Sequence, residues 1–215
     1  MAPADLPDLV DRLRRHRVVG IVRHSDAGVA EAIARAMLDA GLEAVEITWT
    51  VPGAPALIRR LVADYPDRFL GAGTVVHPEQ VDAVVEAGAQ YVITPALRPA
   101  VLAAAATHAI PVLPGLMTPT ELYLALDLGV RAVKVFPAGT LGPGHLRALR
   151  EVAPEVAYVP TGGVAPGKVG EWLAAGAAAV AVAGAFSAAW RESGAAGVAA
   201  TARALLAEAR ADPAT

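Results

Sequence analysis

"AVEITWTVPGAPALIRRLVADYPDRFLGAGTV", residues 44–75, holds one full turn of the pattern that decides the fold. A β-branched run, "AVEITW" (44–49), is followed by a short loop and an apolar amphipathic stretch. A second run, "FLGAGTV" (69–75), closes the unit. A strand, a helix and a strand in that order require a crossover, so the two strands pair in parallel and the connection is right-handed.

The unit recurs by pattern and not by identity. The other runs are "VVGIVR" (18–23), "YVITPA" (91–96), "PVLPGL" (111–116), "AVKVFP" (132–137), "AYVPTGG" (157–163) and "AVAVAG" (179–184). Their spacing of roughly 20 residues leaves room for one helix between each pair. Gly41, Gly88, Gly129 and Gly176 each follow an alanine- or leucine-rich stretch, where a left-handed helix end favours glycine. Asp26 in "HSDAGVAEAI" marks one helix start. Thr118 with Glu121 in "TPTEL" marks another, with capping-box spacing and proline in the first turn. Eight such units predict an α/β protein with a closed (β/α)₈ TIM barrel, residues 1–215 forming one domain with a core of about 6–210. The rival, a doubly wound open sheet, has fewer strands and a switch point. Residues 5–16 read as an extra N-terminal helix closing the barrel bottom. "GAAGVAATARALLAEAR" (194–210) reads as the eighth helix, and the tail "ADPAT" (211–215) as frayed.

Composition bounds the function. Apolar residues make up 55% of the 215, charged residues 18%, and the formal net charge is −3. The densest basic stretch, "RLRRH" (12–16), reads as a solvated helix face, so nucleic acid is not expected as a partner. There is no cysteine, hence no disulfide framework or thiolate metal site, which fits a reducing cytoplasm. The opening residues lack the apolar centre of a signal peptide. The stretch "EWLAAGAAAVAVAGAFSAAW" (171–190) has the length of a membrane span, but Gly176 divides it into a helix end and a strand. No membrane partner is expected.

In a barrel of this kind, chemistry gathers at the C-terminal ends of the strands. Those ends read Arg23, Thr48 to Thr50, Thr74, Pro95, Gly115, Phe136 with Pro137, Thr161 to Gly163, and Gly184. Strand side chains alternate, so Val133 and Val135 face the outer helices while Lys134 faces inward. By the same rule Glu46 faces inward with Ala44 and Thr48. A buried amine loses stability in its charged form. In its neutral form it can attack a carbonyl and form a Schiff base, with Glu46 moving protons beside it. The plain alternative is an internal Lys134–Glu46 ion pair that holds the register.

"PTGGVAPGKV" (160–169) places Gly162 and Gly163 between a strand and a helix, which suits a phosphate or carboxylate on backbone N–H groups and a helix N-terminus. The alternative is a tight turn needing left-handed glycines. Gly184 lies at the matching end of the last strand. Thr74 and Thr161 direct hydroxyls into the mouth. Arg23 holds an anion with its guanidinium fork or, alternatively, forms a rim salt bridge. The five histidines (16, 24, 77, 108 and 145) lack metal-ligand spacing, so no metal or other cofactor is expected. His24 lies near the mouth and reads as an exposed loop residue. Trp49, Trp172 and Trp190 read as packing, with Trp49 also a candidate wall of the pocket.

"VEITWT", "GAGTV", "VITPAL", "PGLMTPTEL", "VKVFPA" and "PTGGV" stand in the order and spacing of the 2-keto-3-deoxy-6-phosphogluconate (KDPG) and 4-hydroxy-2-oxoglutarate (KHG) aldolases, and over about residues 6 to 210 the chain resembles that family. The resemblance implies a class I, metal-independent aldolase on a (β/α)₈ barrel, assembled as a homotrimer. It implies that Lys134 forms the Schiff base with pyruvate and that Glu46 is the acid/base. By the same resemblance the threonines of "GAGT" and "PTGG" map to Thr74 and Thr161, and Phe136 lines the pyruvate pocket. Two departures are visible. Many members carry an arginine that contacts the substrate where this chain has Thr50, and members reading "T-F-T-V-P" there also lack it. Many end the last strand in "G-S" or "G-G-S" to bind phosphate, where this chain has Ala183 and Gly184. An unphosphorylated keto acid is therefore one of the substrates to consider. Two other readings stay open: a phosphosugar isomerase or epimerase using the same glycines without an imine, and a non-catalytic metabolite-binding barrel.

Overall fold

The computed structural model describes residues 6–211. Helix α1 (Leu6–His16) precedes β1 (Val18–Val22), and strands and helices then alternate: α2 (Ala27–Asp39), β2 (Ala44–Thr48), α3 (Ala54–Asp64), β3 (Phe69–Gly73), α4 (Glu79–Glu86), β4 (Val92–Ile93) and α5 (Pro99–Thr107). The second half runs through β5 (Val112–Leu113), β6 (Gly115–Leu116), α6 (Pro119–Asp127), β7 (Ala132–Val135), α7 (Ala138–Val152), β8 (Ala157–Pro160), α8 (Val169–Ala174), β9 (Val180–Val182) and α9 (Gly184–Ala211). All strand pairs are parallel, as the crossovers demand.

Hydrogen bonding divides the curled sheet into two ladders, where the sequence pattern predicts one ring of eight strands. Six strands follow the order β5-β4-β3-β2-β1-β9 and three the order β6-β7-β8. The run "PVLPGL" is split into β5 and β6 by Pro114, which has no N–H to donate to a ladder. At the other junction a single bridge, Thr161 to Ala181, links the end of β8 to β9.

The alternation of side chains separates two apolar layers. Val18, Val22, Val45, Ile47, Leu70, Val133, Val135 and Val180 pack outward under the helices. Val19, Ile21, Ala44, Phe69, Ile93, Ala132, Val159 and Ala181 form the inner cluster, joined by Leu9 and Leu13 of α1. The extra helix thus packs against the inner cluster.

The predicted helix signals hold. Asp26 accepts from the N–H of Val29 at 2.8 Å. Thr118 and Glu121 form the full capping box on α6. The four helix-ending glycines all take left-handed φ values. The predicted last helix follows a break at Ser193 and Gly194, whose geometry is not helical, and a further helical segment from Gly184 precedes it within α9. Most of the tail 211–215 lies outside the described residues. Among the described residues no helix is long and apolar enough to cross a membrane.

Candidate active site

Lys134 occupies the third position of β7 and Glu46 the third of β2, and both side chains are buried, at 4% and 0% exposure. Each points to the inner face because its strand neighbours, Val133 and Val135 or Val45 and Ile47, are committed to the outer layer. Neither carboxylate oxygen of Glu46 has a hydrogen-bond partner. The direct ion pair of the structural reading is therefore not formed. Burial pushes the Glu46 carboxyl above its ordinary range, and the charges of Lys134 and then Arg23 pull it partly back. A carboxyl held in that way takes up a proton more readily than an exposed one, as a proton carrier must. The Lys134 amine lies 5.3 Å from the centre of the Phe136 ring. Phe136 itself is 38% exposed, so a solvent-facing aromatic ring lies beside the buried amine.

Around this pair the strand ends supply hydroxyls, a guanidinium and open backbone. Thr74 adopts a left-handed φ of 57°, a costly conformation for a β-branched residue, and its hydroxyl accepts from Arg23 Nη2 at 3.1 Å. Arg23 is exposed and donates to this hydroxyl, and no salt bridge joins it to another of the described residues. Thr48 donates to the Val22 carbonyl at 3.0 Å and lies 2.9 Å from the exposed Thr50 hydroxyl. Thr161, buried at the end of β8, donates to the Val159 carbonyl at 3.2 Å. Pro95 lies over Gly115, where a β-carbon would collide with the Pro95 carbonyl.

Gly162 and Gly163 both have φ of 82°. A side chain on Gly162 would press on the Phe136 ring at 3.0 Å, and one on Gly163 would meet the Gly139 Cα at 2.7 Å. The pair is thus required by a tight turn and by close packing, and it also leaves its own amides unshielded by any Cβ. The helix N-terminus expected directly after it is elsewhere. Helix α8 begins only at Val169, and Glu208 of α9 already accepts from Gly167 N and Val169 N at 2.6 and 3.2 Å. The helix that starts at a strand end is α9, at the exposed Gly184, where a β-carbon would meet nothing within 4 Å. Ala183 packs on the inner cluster beside it.

Several residues play other parts. Trp49 packs with the outer layer, as does Trp190, and Trp172 is buried there. Trp49 is thus a partly buried packing residue, as expected. His24 accepts from the Asp26 amide at 3.0 Å, His145 lies 2.6 Å from the Met117 carbonyl, and His108 pairs with Asp82 at 2.7 Å. Three site features are not apparent from strand ends alone. Gly73 gives way to the Glu46 carboxylate, and Gly71 to the ring of Tyr91. Tyr91 is 1% exposed and its hydroxyl has no partner. The "G-x-G" spacing inside a strand was the available signal, since strand glycine marks a close approach.

Comparison with known proteins adds a chemical context. The family model for KDPG and KHG aldolases matches residues 9–195. The 2-dehydro-3-deoxy-6-phosphogalactonate aldolase of Escherichia coli K12 is 39% identical over 163 residues, 75% of this chain and 80% of that protein. The 2-dehydro-3-deoxy-phosphogluconate aldolase of Treponema pallidum is 35% identical over 167 residues, 77% of this chain and 80% of that protein. A crystal structure of KDPG aldolase from Legionella pneumophila, with pyruvate captured at low pH as a covalent carbinolamine, matches with a TM-score of 0.82 at 28% identity. It covers 91% of this chain and 97% of that one.

Proposed function

This chain belongs to the KDPG and KHG aldolase family, and we propose that Lys134 is its Schiff-base nucleophile and Glu46 its proton carrier. The protein is a lyase, a class I aldolase that reversibly cleaves a 4-hydroxy-2-oxo acid to pyruvate and an aldehyde. The observation that carries the assignment is the pair of inward-facing ionisable side chains, both buried, with the carboxylate unpartnered.

The neutral Lys134 amine adds to the C2 carbonyl to give a carbinolamine, which loses water to an iminium ion. Glu46, directly or through water, takes the proton of the C4 hydroxyl. The C3–C4 bond breaks, its electron pair moves into the iminium, and an enamine and a free aldehyde remain. Glu46 then returns the proton to C3, and water releases pyruvate from Lys134. Phe136 covers the imine, while Thr161 and Pro95 line the keto-acid end. Arg23, Thr74, Thr50 and the glycines at 162, 163 and 184 meet the far end of the substrate. That end can be a phosphate or a carboxylate, and Ala183 with Gly184 offers no side-chain donor to either. No step calls for a metal or cofactor, because the iminium is itself the electron sink.

Four further features complete the reading. The two ladders act as one closed (β/α)₈ barrel joined through Pro114 and the Thr161–Ala181 bridge, the chain is one domain over residues 1–215, and the protein is cytoplasmic. It is also a homotrimer. Tyr123, Leu124 and Leu128 in and at the end of α6, with Val152 at the end of α7, are large exposed apolar side chains, and Tyr123 donates to the Val152 carbonyl at 3.1 Å, so they lie side by side. Such a face suits burial against further copies of the chain.

The deciding experiment is reduction with borohydride in the presence of pyruvate. One reduced pyruvyl group on Lys134, found by peptide mass mapping, is the expected result. No adduct, or an adduct on another lysine, overturns the assignment, and turnover of a sugar phosphate that survives this treatment indicates an isomerase.

A further inference from the structure

Among the described residues, Glu46 and Tyr91 are the two on the inner face whose side-chain oxygens are buried without a partner. They approach the same strand. The Tyr91 ring lies against Gly71 of β3, and the Glu46 carboxylate lies against Gly73, two residues further toward the strand's C-terminal end. In the β2–β3 register Glu46 is itself opposite Gly71. Side chains two residues apart on a strand share a face and stand about 7 Å apart along it. The phenol ring and the carboxylate therefore occupy neighbouring places along the inner face of β3.

A hydroxyl in this position needs an explanation. The ring is held by Phe69, with centroids 4.4 Å apart, and by the inner cluster, contacts that phenylalanine would make equally well. Buried polar atoms are nearly always hydrogen-bonded, and a water serves two such atoms that face each other. The charges that act on Glu46 are Lys134 from β7 and Arg23 from the end of β1, and Glu46 in turn acts on Tyr91, which directly precedes β4. The Tyr91 phenol is a neutral donor: burial, and then the neighbouring Glu46 charge, hold its proton on well above the ordinary range.

We propose that Tyr91 is a positioning residue for Glu46, its hydroxyl donating through one water to the buried carboxylate and holding it in register with the reacting carbon. The inference rests on the Lys134–Glu46 reading given above. In the reaction Tyr91 keeps its own proton. It orients Glu46 and favours its ionised form.

The test uses the purified full chain and pyruvate alone. The iminium formed on Lys134 makes the pyruvate methyl protons acidic, so Glu46 exchanges them for deuterium in D2O, followed by NMR across pH. In Tyr91→Phe, borohydride trapping of pyruvate should be unchanged. Exchange should slow by roughly fivefold, the worth of one hydrogen bond. The acid limb of the pH–rate profile should move up by about half a unit or more, because a donor to the charged form has been lost. In a Glu46→Gln background the same change should have no effect on the residual rate. A Tyr91→Phe profile that overlays the wild type overturns the proposal. So does an equal loss of trapping and exchange without movement of the acid limb, or an equal loss in both backgrounds. Wild-type protein that traps no pyruvate refutes the underlying reading instead.

Discussion

The Glu46 carboxylate lies so close to the backbone of Gly73 that a β-carbon there would collide with it. Gly73→Ala should consequently displace the carboxylate. A shift of this kind at a reacting group costs about 10²-fold in rate, and overpacking a buried site costs about 1–3 kcal/mol. Steady-state cleavage rates and denaturant unfolding measure the two effects separately. An alanine variant with wild-type turnover would show that the carboxylate has no fixed position to lose.

Lys134→Ala should remove borohydride trapping and cleavage together. Lys134→Arg should do the same, since a guanidinium stays charged and forms no imine. Intact-protein mass after reduction with pyruvate reads both variants, and a retained adduct in either would place the nucleophile elsewhere.

Glu46→Gln should still trap pyruvate while cleavage slows by about 10²–10⁴-fold, the usual contribution of a positioned acid/base. It should also change the dependence of stability on pH. Burial raises the carboxyl pKa in the folded state, so the folded protein binds a proton that the unfolded chain has already released. Wild-type stability then falls as pH rises from the unfolded value, near 4.5, through the raised folded one. The glutamine variant should lack that decline, and its advantage should be larger at pH 8 than at pH 4. Chemical denaturation at the two pH values checks the sign.

Gly184 has free space around the position of a β-carbon, at the first residue of α9. Gly184→Ser would add a hydroxyl donor without a clash. The expected result is an increase of about tenfold in kcat/KM for a phosphorylated 4-hydroxy-2-oxo acid, one hydrogen bond to a charged group, with little change for the unphosphorylated analogue. Equal effects on both would remove Gly184 from the anion end of the site.

Leu124→Glu puts a charge in the middle of the exposed apolar face on α6. The mass from light scattering should fall from three copies to one, with the circular dichroism spectrum retained. Retention of the trimer would move the interface to another face.

Much of the site follows from rules that act over a few residues. Strand alternation alone turns Lys134 and Glu46 away from the valine and isoleucine layer, and both are buried on the inner face. The capping box at Thr118 and Glu121 and the left-handed glycines at helix ends are equally local. Other features depend on how elements meet. The helical segment from Gly184 to the break at Ser193 and Gly194 is not predicted, because small residues such as Gly184 and Ala185 give no period to read. The turn at Gly162–Gly163 leads into a loop capped by Glu208, a residue 45 positions away from Gly163.

The amino-acid sequence by itself determined the order of strands and helices, their parallel pairing, and the inward direction of the amine and the carboxylate, since side-chain period and crossover handedness are properties of short segments. Only the tertiary structure decided that Glu46 has no hydrogen-bond partner, that Gly71 and Gly73 make room for Tyr91 and Glu46, and that Trp49 belongs to the outer layer. Those outcomes depend on the curl that brings β2, β3, β4 and β7 around one interior, and close packing there is set by volumes contributed from segments far apart in the chain.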